Sequence, residues 1–239
     1  MKSAPDGLAR FYKTASVDRA EEGGFRVLLD GRPLRTPARN LLALPSRALA
    51  EAVAGEWNEQ GEKIVASTMP LTRLANTVID GIMGAGQQVR DDIAAFAGSD
   101  LLCYRAEHPE GLVKAQGAAW DPILRWARSA LGADLAITAG VMHVSQPGAA
   151  LEAVRNALAR QDAWALGALH VLTTLTGSAV LALAHAGGHL DPEALWAAAH
   201  VDEDWQISQW GEDAEAMARR ARRYGEMEAA TRLLALSRA

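Results

Sequence analysis

Cysteine is nearly absent. Cys103 is the only one in 239 residues, so no intrachain disulfide can form. That excludes the stapled secreted scaffolds and fits a reducing compartment. Its setting, Leu101-Leu102-Cys103-Tyr104, is apolar and predicts a packed thiol rather than a nucleophile. Excess positive charge is also missing: the formal net charge is -5, against a general polyanion binder or a basic membrane-surface protein. Met1 to Arg10 has neither an apolar signal core nor an Arg/Ser-rich amphipathic pattern, so no targeting segment is expected. Catalytic and cofactor signatures are missing as well. There is no HExxH, no CxxC, no GxGxxG after a strand, no Walker loop and no GxSxG elbow. No cofactor and no metal site are therefore expected. His185 and His189 stand four apart, but Gly187-Gly188 breaks the helix that would align them.

What is present is apolar enough to fold. Hydrophobic residues make up 49% of the chain, which supports one large domain or two modest ones. The first third reads as strands. Phe11–Val17 alternates, Glu21–Gly24 reads as a turn, and Phe25–Leu29, Asp30-Gly31 and Arg32–Pro37 form a strong hairpin signal. Asn40–Pro45 is a further short strand. From Ser46, a candidate N-cap, the period becomes helical, with Leu49, Val53 and Trp57 on one apolar face and Gly61 as the stop. Trp57 is expected to pack that face into the core. Helices follow over about 71–83, 87–97, 110–131, 149–160, 162–186, 192–200 and 213–236. The expectation is an α+β chain, with a small β-rich N-terminal domain at 1–65 and an all-helical domain at 66–239.

Ala163 to Gly188 carries no Asp, Glu, Lys or Arg and is long enough to span a bilayer. His170, His185, its Thr and Ser residues and its alanine content favour a helix buried among other helices instead. Gly177-Ser178 is read as lying inside that helix and permitting close packing.

The densest chemistry lies in Val201 to Asp213, where five carboxylates and two tryptophans share thirteen residues. Tryptophan seeks burial and carboxylates avoid it, so the segment is a wet-faced helix end or a recognition surface. Asp202, Glu203 and Asp204 are consecutive and diverge by about 100° per residue on a helix, so they cannot converge on one cation. Arg219–Arg223 is a basic run that Glu212, Asp213 and Glu215 can neutralise within the same helix. Two alternatives remain open. One is an enzyme using Asp100, Arg105 and Asp121; the other is a nucleic-acid binder using Arg219–Arg223.

Seven segments in order carry a resemblance. They are Arg10–Lys13, Leu29–Pro37, Glu56–Gly61, Met69–Thr77, Ser99–Arg105, Trp120–Pro122 and the acidic segment ending in Gln209-Trp210-Gly211. Together they resemble the ATP synthase assembly chaperones specific for the alpha subunit of the soluble catalytic sector, from about Arg10 to about Arg223. The resemblance implies a non-enzymatic chaperone that shields the unassembled alpha subunit before it joins the beta subunit. It also implies a small β-rich domain followed by a larger helical one. Family members occur in mitochondria and in bacteria, and the reading of the N-terminus points to a bacterial, cytoplasmic member. A monomer is expected, with no nucleic acid and no membrane insertion. Under this reading Glu203, Trp205, Trp210, Asp202 and Glu212 are the partner-binding candidates: the tryptophans as anchors, the carboxylates for orientation and rate.

Overall fold

The structure is a computed structural model describing residues 8–21 and 23–239. Most of the N-terminal stretch read for targeting, and Glu22 of the turn, lie outside the described residues. A small strand region precedes a larger helical one, so the chain is α+β, as expected. By contacts the chain divides into two compact units. One comprises the described residues up to Ala85 together with Arg232–Ala239; the other is Gly86–Thr231.

In the first unit β1 (Ala15–Arg19) and β2 (Phe25–Leu29) pair antiparallel, Ala15 opposite Leu29. The short strands β3 (Arg32–Pro33) and β4 (Ala43–Leu44) both pair with β2. Asp30 and Gly31 take the turn at φ +47° and +79°, the positive angles that a two-residue hairpin needs. Phe11–Thr14 does not join the ladder, contrary to the alternation. The Asp30 carboxylate takes the backbone N–H groups of Lys13 and Thr14 at 2.9–3.1 Å, so those donors are spent on a side chain. These donors hold the Asp30 carboxyl below the usual carboxylate range.

Ser46 caps α1 (Arg47–Asn58), its hydroxyl accepting from Leu49 N at 3.0 Å. The helix stops at Asn58, before Gly61, and the Gln60 side chain satisfies the chain beyond it by accepting from Val65 N at 2.7 Å. Trp57 is half-buried rather than sealed in the core, edge-on to Tyr12 at 5.5 Å. Leu49 and Val53 fill that face, and the neighbouring Glu56 is buried as well. Its carboxylate accepts from Leu71 N, Thr72 N and the Thr72 hydroxyl at 2.6–2.8 Å, at the start of α2 (Pro70–Thr77). The first N–H groups of a helix have no partner of their own, and a carboxylate placed there satisfies them and meets the positive dipole end. α2 runs on through a π-turn, Val78–Ile82, into α3 (Met83–Ala97).

The second unit holds β5 (Tyr104–Arg105), α4 (Glu110–Trp126), β6 (Thr138–Ala139), α5 (Gly148–Ala159), α6 (Ala163–Thr176), α7 (Ala179–Ala186), α8 (Pro192–Ala199) and α9 (Val201–Trp210). α10 (Ala214–Ser237) starts in this unit and ends in the first. The charge-free stretch is two helices, not one. Gly177, at φ +71°, ends α6, and the Ser178 hydroxyl caps α7 by accepting from Leu181 N at 2.9 Å. Left-handed backbone comes cheaply to glycine alone, and it turns the chain back on itself. Among the described residues no helix is long and apolar enough to cross a membrane.

Asp100 is wholly buried at this break. One oxygen accepts from Leu102 N and the other from Val180 N, each at 3.1 Å. Burial pushes its pKa up to about 6 against the pull of those donors. Cys103, also buried, is pushed up to about 12 by desolvation, as befits a packed thiol.

Two stability predictions follow from these carboxyls. Replacing Glu56 with Ala orphans two buried N–H groups and should cost about 2–4 kcal/mol in urea unfolding, whereas the exposed Glu59→Ala should cost under about 0.5. Equal effects would refute the capping role. The folded chain holds the Asp100 proton to about pH 6, the unfolded chain only to 3.8. This contribution to stability is full below about pH 4 and declines as pH rises to about 6. Asp100→Asn cannot titrate, so its urea midpoint should lack that decline; parallel profiles would show that Asp100 titrates normally.

Candidate binding site on the acidic tryptophan helix

The acidic tryptophan segment folds as α9. Its first turn holds Asp202, Glu203 and Asp204, where acids meet the positive dipole end, and Gly211 at φ +84° ends it. The three carboxylates do not share one centre: Asp202 turns to α4, while Glu203 and Asp204 both reach Arg220 of α10. Asp202 accepts from the Gln116 amide of α4 at 2.7 Å. Glu203 pairs with Arg223 at 3.1 Å and lies 3.6 Å from Arg220. Asp204 pairs with Arg220 at 2.5 Å. The Arg220 guanidinium also sits 5.6 Å from the Trp196 ring, leaving its side chain 16% exposed.

Neutralisation of the basic run is therefore divided between two helices. Arg219 does pair within its helix, with Glu215 at 2.6 Å, but Arg220 and Arg223 are held by α9. Asp213 instead accepts from Ala216 N at the start of α10. Sequence distance hid the pairing, because Glu203 and Arg223 are twenty residues apart. His200 is buried directly before α9, its Nδ1 bonded to Trp196 O at 2.8 Å and its Nε2 3.9 Å from Glu203. Burial lowers its pKa, outweighing the Trp196 carbonyl and Glu203, and Arg220 and Arg223 lower it further.

The two tryptophans do not share a cleft. Five helical residues turn through about 500°, so they point about 140° apart. Trp205, half-buried, lines an apolar groove of about 550 Å³ with Ala115, Ala119, Ile123, Ala197 and Val201. Its ring lies on Gly111 of α4, where an added Cβ would fall 2.1 Å from Cη2. Trp210 is 79% exposed and borders a smaller cleft of about 320 Å³ with Glu203, Met217, Arg219 and Arg223. Glu212 is exposed between α9 and α10. The unit from Gly86 to Thr231 carries nineteen Asp and Glu against eleven Lys and Arg, so its field is negative.

The residues considered for catalysis are differently placed. Asp100 is sealed under backbone donors, while Arg105 pairs with the half-exposed Asp121 at 2.8 Å and lies over Trp120.

Comparison with known proteins points one way. The family model described as ATP12 chaperone protein matches residues 9–128. A crystal structure of a candidate chaperone from Agrobacterium tumefaciens is 52% identical with a TM-score of 0.92, covering 95% of this chain and 85% of that one. Atp12 from Paracoccus denitrificans is 42% identical with a TM-score of 0.91, over 96% of this chain and 98% of that one. Among curated proteins, the mitochondrial protein atp12 of Schizosaccharomyces pombe is 25% identical over 214 residues, 84% of this chain and 73% of the relative.

Gly111 supplies a test of the seat of Trp205. Gly111→Ala should displace the ring and cost about 1–3 kcal/mol, with a shift in tryptophan emission. Gly117→Ala on the same helix meets only an ordinary contact at 3.7 Å. It should instead stabilise by about 0.5–1 kcal/mol. Two substitutions with the same sign and size would refute the seating.

Proposed function

Because the chain belongs to the ATP12 chaperone family, a family of ATP synthase assembly factors, we propose that it binds the unassembled alpha subunit of the catalytic sector and shields its interface until the beta subunit takes over. The observation that carries this reading is the outer face of α9. There Trp210 stands 79% exposed beside the half-exposed Glu203.

A ring subunit exposes apolar interface before assembly, and such surface aggregates. A chaperone for it needs apolar anchors to hold and charged groups to steer and release. Trp210 and the Trp205 groove are the anchors. Glu203, Asp202 and Glu212 orient the client within the negative field of the unit. Asp202 and Glu203 do this while bonded to α4 and α10, so they also hold α9 in its presenting position. The role is non-enzymatic: Asp100 serves two helix starts, and the Arg105–Asp121 pair is closed on itself. The chain works as a monomer without cofactor or nucleic acid, in the bacterial cytoplasm, a setting supported by its 52% identity to a bacterial relative.

The test is light scattering of diluted, denatured alpha subunit with and without the chain, beside capture of separate alpha and beta subunits. Suppressed scattering with selective alpha capture is expected. Trp210→Ala should weaken capture about tenfold or more. Glu203→Gln should slow it and reduce its salt dependence. Melting temperatures serve as the folding control. Full capture by both variants would remove α9 as the binding face, and no capture by the unaltered chain would overturn the function.

A further inference from the structure

We propose that the first unit carries its own docking groove, one that accepts an acidic peptide segment bearing an apolar side chain, from a protein partner. The groove, about 550 Å³, lies between Phe11 and Tyr12 on one side and Arg32, Pro33, Leu34 and Arg35 on the other. These residues belong to two segments that stand out in the sequence, Arg10–Lys13 and Leu29–Pro37, and that α9 does not use.

Phe11 is 65% exposed, yet it is not loose. Its ring stands edge-on to Tyr12 at 5.4 Å. The backbone around it is fastened from both sides. The Arg10 guanidinium donates to the carbonyls of Tyr12, Lys13 and Gln60, and Asp30 takes the N–H groups of Lys13 and Thr14. An aromatic held out on a rigid segment loses little entropy on binding, which is the property of a preformed anchor. Aromatic and arginine residues together are the usual composition of binding hot spots.

Charge selects the occupant. Three charged groups line the groove, and Asp30 is consumed by its backbone donors. Arg32 is exposed and forms no ion pair among the described residues. Arg35 spends one nitrogen on Arg39 O at 2.8 Å and keeps the rest of its fork. The uncommitted charge is thus positive. The described residues of the unit agree, with twelve Lys and Arg against eight Asp and Glu. The site is recessed, which suits side chains of a peptide rather than a flat membrane surface. Pro33 on the edge strand β3 offers no N–H, so recognition runs through side chains more than through strand addition.

The inference is independent of α9, and the experiment keeps the two apart. The full chain is passed over an array of hexapeptides alternating Asp or Glu with Phe or Leu, beside the same peptides with Lys or Ser at the acidic positions. Retention of the acidic set is expected, falling as salt rises from about 50 to 200 mM. An Arg32→Glu, Arg35→Glu double variant and Phe11→Ala should each lose about tenfold in retention with unchanged melting, since all three positions are exposed. Alpha-subunit capture should persist in these variants. The proposal is overturned if acidic peptides bind no better than their lysine counterparts, or if the double variant binds them equally. It is also overturned if vesicles with anionic phospholipid are bound while the peptides are not.

Discussion

The burial of the Asp100 carboxyl is the constraint from which the helical unit is built. A carboxyl out of water is tolerated only if its oxygens are satisfied, and here the partners are N–H groups at the turn Leu101–Cys103 and at the start of α7. The same residue thereby places a helix whose residues from Ala179 to Ala184 are all buried. α4, α6 and α8 pack against α7, and α8 leads through buried His200 into α9. α9 in turn packs against α4. Glu56 repeats the device in the first unit, where it holds the start of α2 from α1. In both places the cost of desolvating an acid is offset by donors that helix geometry leaves without partners.

The acidic start of α9 works differently because it is wet. Surface ion pairs contribute little singly, but Asp202 ties this short helix to α4 while Glu203 and Asp204 tie it to α10. None of the residues of α9 is fully buried, so packing alone holds it loosely. The polar links to Gln116, Arg220 and Arg223 define its orientation, and that orientation is what sends Trp205 to a groove and Trp210 to water. Asp202 and Glu203, proposed above to meet the partner, are thus also groups that hold the helix in place.

Charge is segregated along the chain. The helical unit is negative and the strand-containing unit is positive, though the sum is a modest -5. Each unit therefore presents a surface of its own charge. The negative unit exposes Trp210 at the end of α9, and the positive unit exposes Phe11 in the segment before β1. Each favours a partner segment of opposite charge.

Much of this was legible locally. Asp30-Gly31 specifies its turn because the positive φ angles are a property of those two residues alone, and Ser46 and Asp191-Pro192 mark helix starts for the same kind of reason. The crowding of acid and tryptophan in α9 likewise marked a surface element before any geometry. What the tertiary structure decided are the pairings between distant segments. Phe11–Thr14 has the alternation of a strand, but Asp30 claims its donors. Gly177 sits in an unbroken apolar run, and only the fold requires the chain to reverse there. Arg220 and Arg223 have acidic residues within one or two turns and pair instead with α9. A residue's neighbours in sequence set its backbone preference, because that energy is local. Which donor meets which acceptor depends on where the chain returns, and that is settled only when the whole core closes.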